Sequence, residues 1–404
     1  MSSQIGNSLK VSLFGESHGA AVGAVIDGFP PGVKIDRDEL LSFMKRRAPG
    51  RDKTSTPRKE SDLPQILSGI LEDVTCGTPI AAVIENTNTR SGDYRKMSSA
   101  ARPGHADYTG YVRYKGNNDV RGGGHFSARL TAPLVFAGGL CLQYLKRRGI
   151  FIGAHLKSVK NEKDADFPEA ELLPELLLAP GKKAFPVVDD EAEGRMRAVI
   201  EEARVQGDSV GGIVEVAAVG MPAGIGSPIF DSVEGRLSYG YFGIPAVKGV
   251  EFGAGFRAAE LFGSENNDAF YIDENVSDHA GAVGRVATAG ESSEISTADG
   301  TAPEDGARQR DAVQKGAVKT RTNRHGGILG GISSGMPIIA RLAFKPTPSI
   351  SKRQETIDFI RGENVQLSVE GRHDPCVAVR AVPVVEAVTA IVLMDLLLEQ
   401  EGVR

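Results

Sequence analysis

The order of apolar and polar residues along the chain predicts a mixture of short strands and longer helices. Val11–Phe14 and Val22–Ile26 are short apolar runs typical of strands, and the turn sequence Gly28–Gly32 closes the second. Val210–Val219 and Ala246–Gly253 indicate two further strands beside glycine-rich turns. Because strands and helices mix without strict alternation, we expect an α+β fold rather than a doubly wound parallel sheet.

Apolar residues at helical spacing predict four helices. Asp36 followed three residues later by Glu39 is an N-cap pattern, and the helix that it begins ends in a run of cations before Pro49. Interaction with the helix dipole accounts for one or two of these cations, but the run continues to Lys59. The other predicted helices span Pro133–Arg148, Asp190–Arg204 and Val384–Glu399.

One segment differs in composition from the rest. Asn275–Lys319 is rich in Ala, Gly, Ser, Glu and Asp, and has few large apolar residues and no sustained period. Such a segment cannot bury enough surface to offset its ordering entropy. We therefore expect residues 1–404 to form a single domain with a flexible insertion at 275–319.

Bulk composition limits the class of protein. Hydrophobic residues make up 41% and charged residues 25% of the chain, and the net charge of -5 argues against a surface built for nucleic acid. Three cysteines without a CxxC pair suit a reducing compartment and exclude a cysteine-built zinc site. No signal peptide and no apolar run near eighteen residues is evident. We expect a cytoplasmic protein with no metal, membrane or nucleic-acid partner.

Five of the seven histidines lie in short segments of glycine, arginine and small polar residues. Glycine allows close approach of backbone to a ligand, arginine pairs with phosphate or carboxylate, and histidine transfers protons near neutral pH. A single histidine in such a setting is more often structural, but five indicate an enzyme for a small, strongly anionic substrate. The segments are Gly15–Gly19, Arg102–Asp107, Arg121–Arg129, Arg324–Gly327 and Gly371–Pro375.

A weak internal repeat suggests two related halves. After His18, glycines at offsets five and ten and a proline at offset twelve recur after His325 with the same spacing. Downstream of each histidine lies an arginine-rich loop, then a proline and a long apolar helix. We interpret the pattern as two halves that face a shared cleft.

Taken together and in order, these motifs resemble the chorismate synthase family. The resemblance spans about Ile5–Leu398, apart from Asn275–Lys319 and Val159–Asp189. It implies a β-α-β sandwich of two similar halves, a homotetramer, and conversion of 5-enolpyruvylshikimate 3-phosphate to chorismate and phosphate with reduced FMN. Two sources of reducing equivalents stay open, NADPH used by the protein itself and an outside reductant. Further matching motifs are Asp27–Gly32, Ile244–Glu251, Gly326–Gly335 and Lys345–Ser349.

The resemblance also implies roles for individual residues. His105 matches the acid for the leaving phosphate, His18 the histidine that protonates reduced flavin near N1, and Asp374 the aspartate that assists proton removal from C6. Asp107 is expected to support His105. The implied substrate-binding residues are Ser17, Arg47, Arg102, Ser127, Arg129 and Arg372. The implied cofactor-binding residues are Arg47, Lys53, His125, Phe126, Ser127, Pro245, Ala246, Gly330, Lys345, Pro346, Thr347, Pro348, Ser349 and Arg372.

Three departures from the family pattern bear on these roles. His125-Phe126-Ser127 replaces a common Arg-Ser-Ser, and Lys53 stands where an arginine is common, which weakens bidentate pairing. The 275–319 segment is much longer than the usual connection. His155, His279 and His325 are expected to be structural or surface residues, and His373 either belongs to the site or orients Asp374.

Two other functions are weighed against the lyase. A flavin-dependent reductase would use the same pocket for a nicotinamide, but no dinucleotide fingerprint opens the chain. A non-catalytic anion-binding or RNA-binding protein conflicts with the negative charge and with the lack of aromatics interleaved on a basic face. Turnover of the phosphorylated substrate with reduced FMN would separate all three.

Overall fold

A computed structural model of the chain describes residues 3–50, 62–87, 99–273, 317–369 and 374–402. Lys53, Arg372, His373, His279 and most of the predicted insertion lie outside the described residues. In chain order the strands are β1 (Gln4–Ile5), β2 (Lys10–Gly15), β3 (Ala21–Asp27), β4 (Gln65–Ser68), β5 (Ile70–Leu71), β6 (Val74–Thr75), β7 (Ile80–Glu85), β8 (Phe151–Val159), β9 (Glu162–Lys163), β10 (Gly212–Val219), β11 (Val247–Phe252), β12 (Phe270–Asp273), β13 (Ala317–Thr320), β14 (Ile328–Leu329), β15 (Ile332–Ser333), β16 (Ile338–Phe344), β17 (Gln354–Asp358) and β18 (Glu363–Leu367).

Eight α-helices lie within the described residues, and the expected helix after Asp36 is among them. The Asp36 carboxylate accepts a hydrogen bond from the backbone N–H of Glu39 at 3.0 Å, which is the predicted N-cap. The helices are α1 (Arg37–Arg47), α2 (Asp107–Tyr114), α3 (Thr131–Lys146), α4 (Pro174–Leu178), α5 (Asp190–Val205), α6 (Val233–Phe242), α7 (Gly263–Asn266) and α8 (Ala378–Gln400).

Two five-stranded antiparallel sheets enclose a layer of helices. The first sheet has the strand order β1-β2-β3-β7-β4 and the second the order β11-β16-β10-β8-β9. Helix α3 packs on the first sheet, α8 packs on β8 and β10 of the second, and the two helices pack on each other. A methyl group on Gly138 of α3 would overlap Ala387 of α8, so this contact requires glycine. The expected α+β sandwich is confirmed.

The inner helices are apolar on all sides, because each is covered on both faces. Most side chains of α3 and nearly all those of α8 are buried, whereas α5 buries one face, with Met196 and Ile200. The predicted start of α8 at Val384 was wrong: the helix begins at Ala378 and contains Pro383. Burial of its first two turns offsets the hydrogen bond that proline removes.

Two further expectations need correction. The sequence was not expected to contain a segment long and apolar enough to cross a membrane, but the 23 residues of helix α8 meet that description. The apolar stretch of this helix is wholly buried inside the protein. The repeat after His18 and His325 does not mark equivalent structure, because Gly23 lies inside β3 and Gly330 in the turn between β14 and β15. The last residues of the predicted insertion form β13, which pairs with β12.

A buried histidine connects the 160–190 segment to the second sheet. His155 on β8 is fully buried, with Nδ1 2.8 Å from Asp164 Oδ2 and Nε2 3.0 Å from Glu215 Oε2. Glu215 also pairs with Arg341, and the Phe167 ring lies edge-on 4.5 Å from the imidazole. Burial alone would lower the pKa of His155, but the two carboxylates outweigh it and the pKa is raised.

We predict that His155→Gln destabilises the protein by about 3 kcal/mol at pH 6 and by less at pH 9. The unfolded-state pKa of histidine is about 6.5, so the protonated ring contributes fully below that pH. Its contribution is lost as the pH rises through the higher folded-state pKa. Urea unfolding at both pH values measures the difference, with His325→Gln as the control because that histidine pairs with Asp268 at a half-exposed position. An equal loss at both pH values would contradict a charged ring.

Candidate active site

A cleft of about 630 Å³ opens where the first turn of α8, the C-terminal end of α1 and the loop before α3 meet. Ser17, His18, Pro346 and Gly330 were predicted for the site but do not belong to this lining. Most of the other predicted site residues do: Arg47, Arg102, His105, His125, Phe126, Ser127, Arg129, Pro245, Ala246, Lys345, Thr347, Pro348, Ser349 and Asp374.

A glycine loop separates two histidines at the cleft. Gly122, Gly123 and Gly124 all have positive φ, and Gly122 lies in the cleft lining. A methyl group on Gly122 would overlap the His18 ring and lie 2.8 Å from Ser17 Oγ, and one on Gly123 would lie 3.2 Å from His105 Nε2. His18 is therefore buried behind the loop, whereas His105 lines the cleft.

His105 is held by a carboxylate that also binds an arginine. Its Nδ1 lies 2.7 Å from Asp107 Oδ1 and 3.1 Å from Arg102 Nη2. Arg102 also pairs with Asp107 through Nη2 at 2.7 Å and Nε at 2.8 Å. Burial would raise the pKa of Asp107, but hydrogen bonds from Arg102 and His105 outweigh it and hold that pKa well below its ordinary value. An ionised Asp107 favours a proton on Nδ1 and leaves Nε2 for chemistry.

Two further arginines of the cleft share one buried carboxylate. Asp62 forms ion pairs with Nη1 of Arg47 and with Nη1 of Arg129. Burial, partly opposed by Asp62, lowers the pKa of Arg47 to about 10. The pKa of Asp62 lies below its ordinary value, because the two arginines outweigh the effect of its burial. Sequence reasoning missed Asp62, because nothing distinguishes it from the other acidic residues of a polar stretch.

Asp374 has a cationic partner in the first turn of α8. Its Oδ2 lies 2.7 Å from Arg380 Nη1. Arg380 Nε also donates to the backbone oxygen of Arg47 at 2.9 Å. The sequence had indicated Arg372 as the source of positive potential near Asp374, and Arg372 lies outside the described residues. Arg380 was not predicted for the site.

His125 has internal partners at both ring nitrogens. Nδ1 lies 2.9 Å from the Gly15 carbonyl oxygen, so it carries the proton, and Nε2 lies 2.9 Å from Ser3 Oγ. Ser127 Oγ accepts a hydrogen bond from the Arg129 backbone N–H at 3.2 Å. Phe126 is 37% exposed in the cleft, which leaves a ring edge or face for a flat ligand.

The Lys345–Ser349 segment brings further polar groups to the cleft. Burial, with the nearby Lys248, lowers the pKa of Lys345, and neither lysine has an ion-pair partner among the described residues. Ser349 Oγ accepts from Arg102 Nη1 at 3.3 Å, and Thr347 Oγ1 is buried without a hydrogen-bond partner among the described residues. Lys248 was not predicted as a site residue, although it lies two residues after the predicted site residue Ala246.

Comparison with known proteins gives a consistent result. A family model for chorismate synthase matches residues 9–398. The chorismate synthases of Thermococcus gammatolerans and Pyrococcus abyssi are 42% identical over 397 residues and 44% identical over 393 residues, covering 98% and 97% of both chains. A crystal structure of chorismate synthase superposes with a TM-score of 0.69 at 27% identity, covering 98% of this chain and 94% of the other.

We predict that Gly122→Ala lowers turnover about 100-fold, because the added methyl group must displace His18. Positive φ at an alanine costs about 1–2 kcal/mol in addition. Gly149→Ala is the matched control: its φ of 74° carries the same backbone cost, but a methyl group there meets nothing within 4 Å. Equal turnover in the two variants, with equal melting temperatures, would show that the Gly122 contact with His18 has no part in the reaction.

Proposed function

The chain belongs to the chorismate synthase family, and from that premise we propose how its cleft performs the reaction and which residues act. The reaction eliminates phosphate from 5-enolpyruvylshikimate 3-phosphate to give chorismate in the shikimate pathway. The reductase and the non-catalytic anion-binding protein are set aside, since the family match covers nearly the whole chain.

The observation that carries the proposal is the pairing of His105 with Arg102 and Asp107 in the cleft. Breaking the bond to phosphate leaves a highly charged anion, which an arginine stabilises and a positioned acid can protonate. We assign Arg102 to the phosphate and His105 Nε2 to the proton. Asp107, 2.7 Å from Nδ1, orients the ring.

The elimination also removes the proton from C6 of the substrate. Asp374 is the single carboxylate in the cleft lining among the described residues, and Arg380 orients it. We propose that Asp374 assists that proton removal. Arg47 and Arg129 lie in the same wall and are proposed to bind the substrate carboxylates, with Ser127 beside them.

The polar and aromatic side chains of the cleft fit FMN. Lys345 and Lys248 have no carboxylate partner among the described residues, and the orphaned Thr347 hydroxyl stands beside them, a combination suited to a phosphate. Phe126 offers an aromatic surface for a flat ring system. When bound, reduced FMN would supply electron density that the reaction does not consume. His18, held behind Gly122, is proposed to hold a proton for the reduced flavin. Pro346 and Gly330 lie outside the cleft lining.

The remaining proposals concern assembly, location and reductant. Large side chains are exposed near the β11 edge of the second sheet, with Phe256 84% and Phe262 78% exposed, which supports burial between subunits of a homotetramer.

The described residues contain no group of His, Cys, Asp and Glu able to hold a metal ion. A cytoplasmic location and the use of NADPH as reductant are proposed from the family.

We predict that His105→Ala lowers turnover roughly 100- to 10,000-fold, the contribution typical of a general acid, while FMN still binds. Anaerobic phosphate release from 5-enolpyruvylshikimate 3-phosphate measures turnover, and the flavin absorbance spectrum measures binding. His325→Ala is the control, because His325 also pairs with an aspartate but lies outside the cleft lining. More than a third of wild-type turnover in His105→Ala would remove this residue from the mechanism.

We predict that Lys345→Gln weakens FMN binding about 10- to 100-fold at low salt, the loss of a hydrogen bond between charged groups. Riboflavin, which lacks the phosphate, should bind the variant as well as it binds the wild type. Lys352→Gln removes the same charge at a surface ion pair with Asp208 and should change neither affinity. If Lys345→Gln weakens riboflavin and FMN equally, then the lysine supports the pocket and does not bind the phosphate.

A further inference from the structure

We propose that Asp62 and Arg380 are positioning residues: Asp62 sets the two substrate arginines, and Arg380 couples them to Asp374. The contacts form one continuous chain, Asp374–Arg380–Arg47–Asp62–Arg129. Asp62 has been given no function above, and Arg380 only the orientation of Asp374. The inference rests on the proposed roles of Arg47, Arg129 and Asp374, and its test separates the two.

Asp62 is built to hold two guanidinium groups at once. It is 3% exposed, and its two carboxylate oxygens go to different arginines, Oδ2 to Arg47 and Oδ1 to Arg129. Its backbone has a φ of 49°, a left-handed conformation uncommon for residues other than glycine. Two arginines this close would repel each other without a shared carboxylate, so Asp62 makes their juxtaposition possible.

The other contacts orient the guanidinium groups further. Arg47 Nε donates to Thr131 Oγ1 at 3.1 Å, while Arg129 Nε donates to Asn86 Oδ1 at 2.8 Å. Arg47 uses Nη1 for Asp62 and Nε for Thr131, so the remaining N–H donors of its guanidinium group are available at the cleft.

Arg380 links this wall to the proposed base. One N–H of its guanidinium group binds Asp374 and another binds the Arg47 backbone oxygen at the end of α1. Its backbone belongs to α8, whose side chains are nearly all buried, so the link is anchored in the packed core of the fold. Arg380 therefore fixes the distance between the carboxylate that accepts a proton and the arginines that bind the substrate.

The two residues should affect different kinetic constants. Loss of Asp62 weakens substrate binding, so Asp62→Asn should raise KM about 10- to 100-fold with a smaller change in kcat. Loss of Arg380 misplaces the base, so Arg380→Gln should lower kcat about 10- to 100-fold with KM within about threefold. Binding of a small dicarboxylate such as malonate, measured by titration calorimetry without flavin or turnover, should weaken in Asp62→Asn as well.

Two further variants keep the test decisive. Thr131→Val keeps the shape and removes the acceptor of Arg47 Nε, together with the hydrogen bond from Thr131 Oγ1 to the Ala128 backbone oxygen at 2.6 Å. It should raise KM about three- to tenfold even if Asp62→Asn fails to fold. Asp73→Asn is the matched control, because Asp73 also has positive φ and pairs with an arginine, Arg37, but on the surface. It should leave both constants unchanged.

Three results would overturn the inference. The first is Asp62→Asn and Thr131→Val with wild-type KM. The second is an Asp62→Asn variant whose apparent kcat falls only by the fraction of protein lost from the folded state, measured by circular dichroism, while KM keeps its wild-type value. The third is Arg380→Gln with wild-type kcat. Failure of the proposed function itself looks different, since the wild-type protein would then release no phosphate from the substrate.

Discussion

The fold depends on the burial of a single helix, α8, between two sheets. A helix covered on every side can carry a charge only where a partner compensates it, because an unpaired buried charge is far too costly. Helix α8 carries three such residues. Arg380 pairs with Asp374, Glu386 binds Arg46 through two ion-paired oxygens at 2.6 and 2.7 Å, and Asp395 accepts the backbone N–H groups of residues 7–9.

These pairings place the other elements around the helix. Glu386 fixes the last turn of α1 and also accepts from the Ala154 backbone N–H of β8 at 3.0 Å, so it connects α1 to the second sheet. Asp395 fixes the chain just before β2, and Arg236 of α6 binds the same carboxylate. Successive residues of α1 then face different sides: Arg46 binds the core helix, and Arg47 enters the cleft. The position of Arg47 thus follows from a charge buried in α8.

The sequence was informative where local rules apply. The Asp36 cap, the strands at Val11–Phe14 and Val22–Ile26, and the α+β class were predicted correctly, because each rests on residues close together in the chain. Most predicted site residues do line one cleft. Asp62 was missed because its arginines lie 15 and 67 residues away and no local pattern marks them. Gly330 was assigned to the cofactor, but β14 and β15 place it outside the lining.

The contrast between the whole chain and its cleft explains how an acidic protein can act on an anion. The net charge is -5, yet the lining holds Arg47, Arg102, Arg129, Arg380, Lys248 and Lys345. Asp62 and Asp107 lie beneath the arginines and neutralise part of this charge, which keeps the cations in place without cancelling them. A positive concavity in a negative surface concentrates field lines at the site, so it attracts a small phosphorylated dicarboxylate while the rest of the surface repels it. The carboxylates thus serve the anion site indirectly, because the cation cluster could not be buried without them.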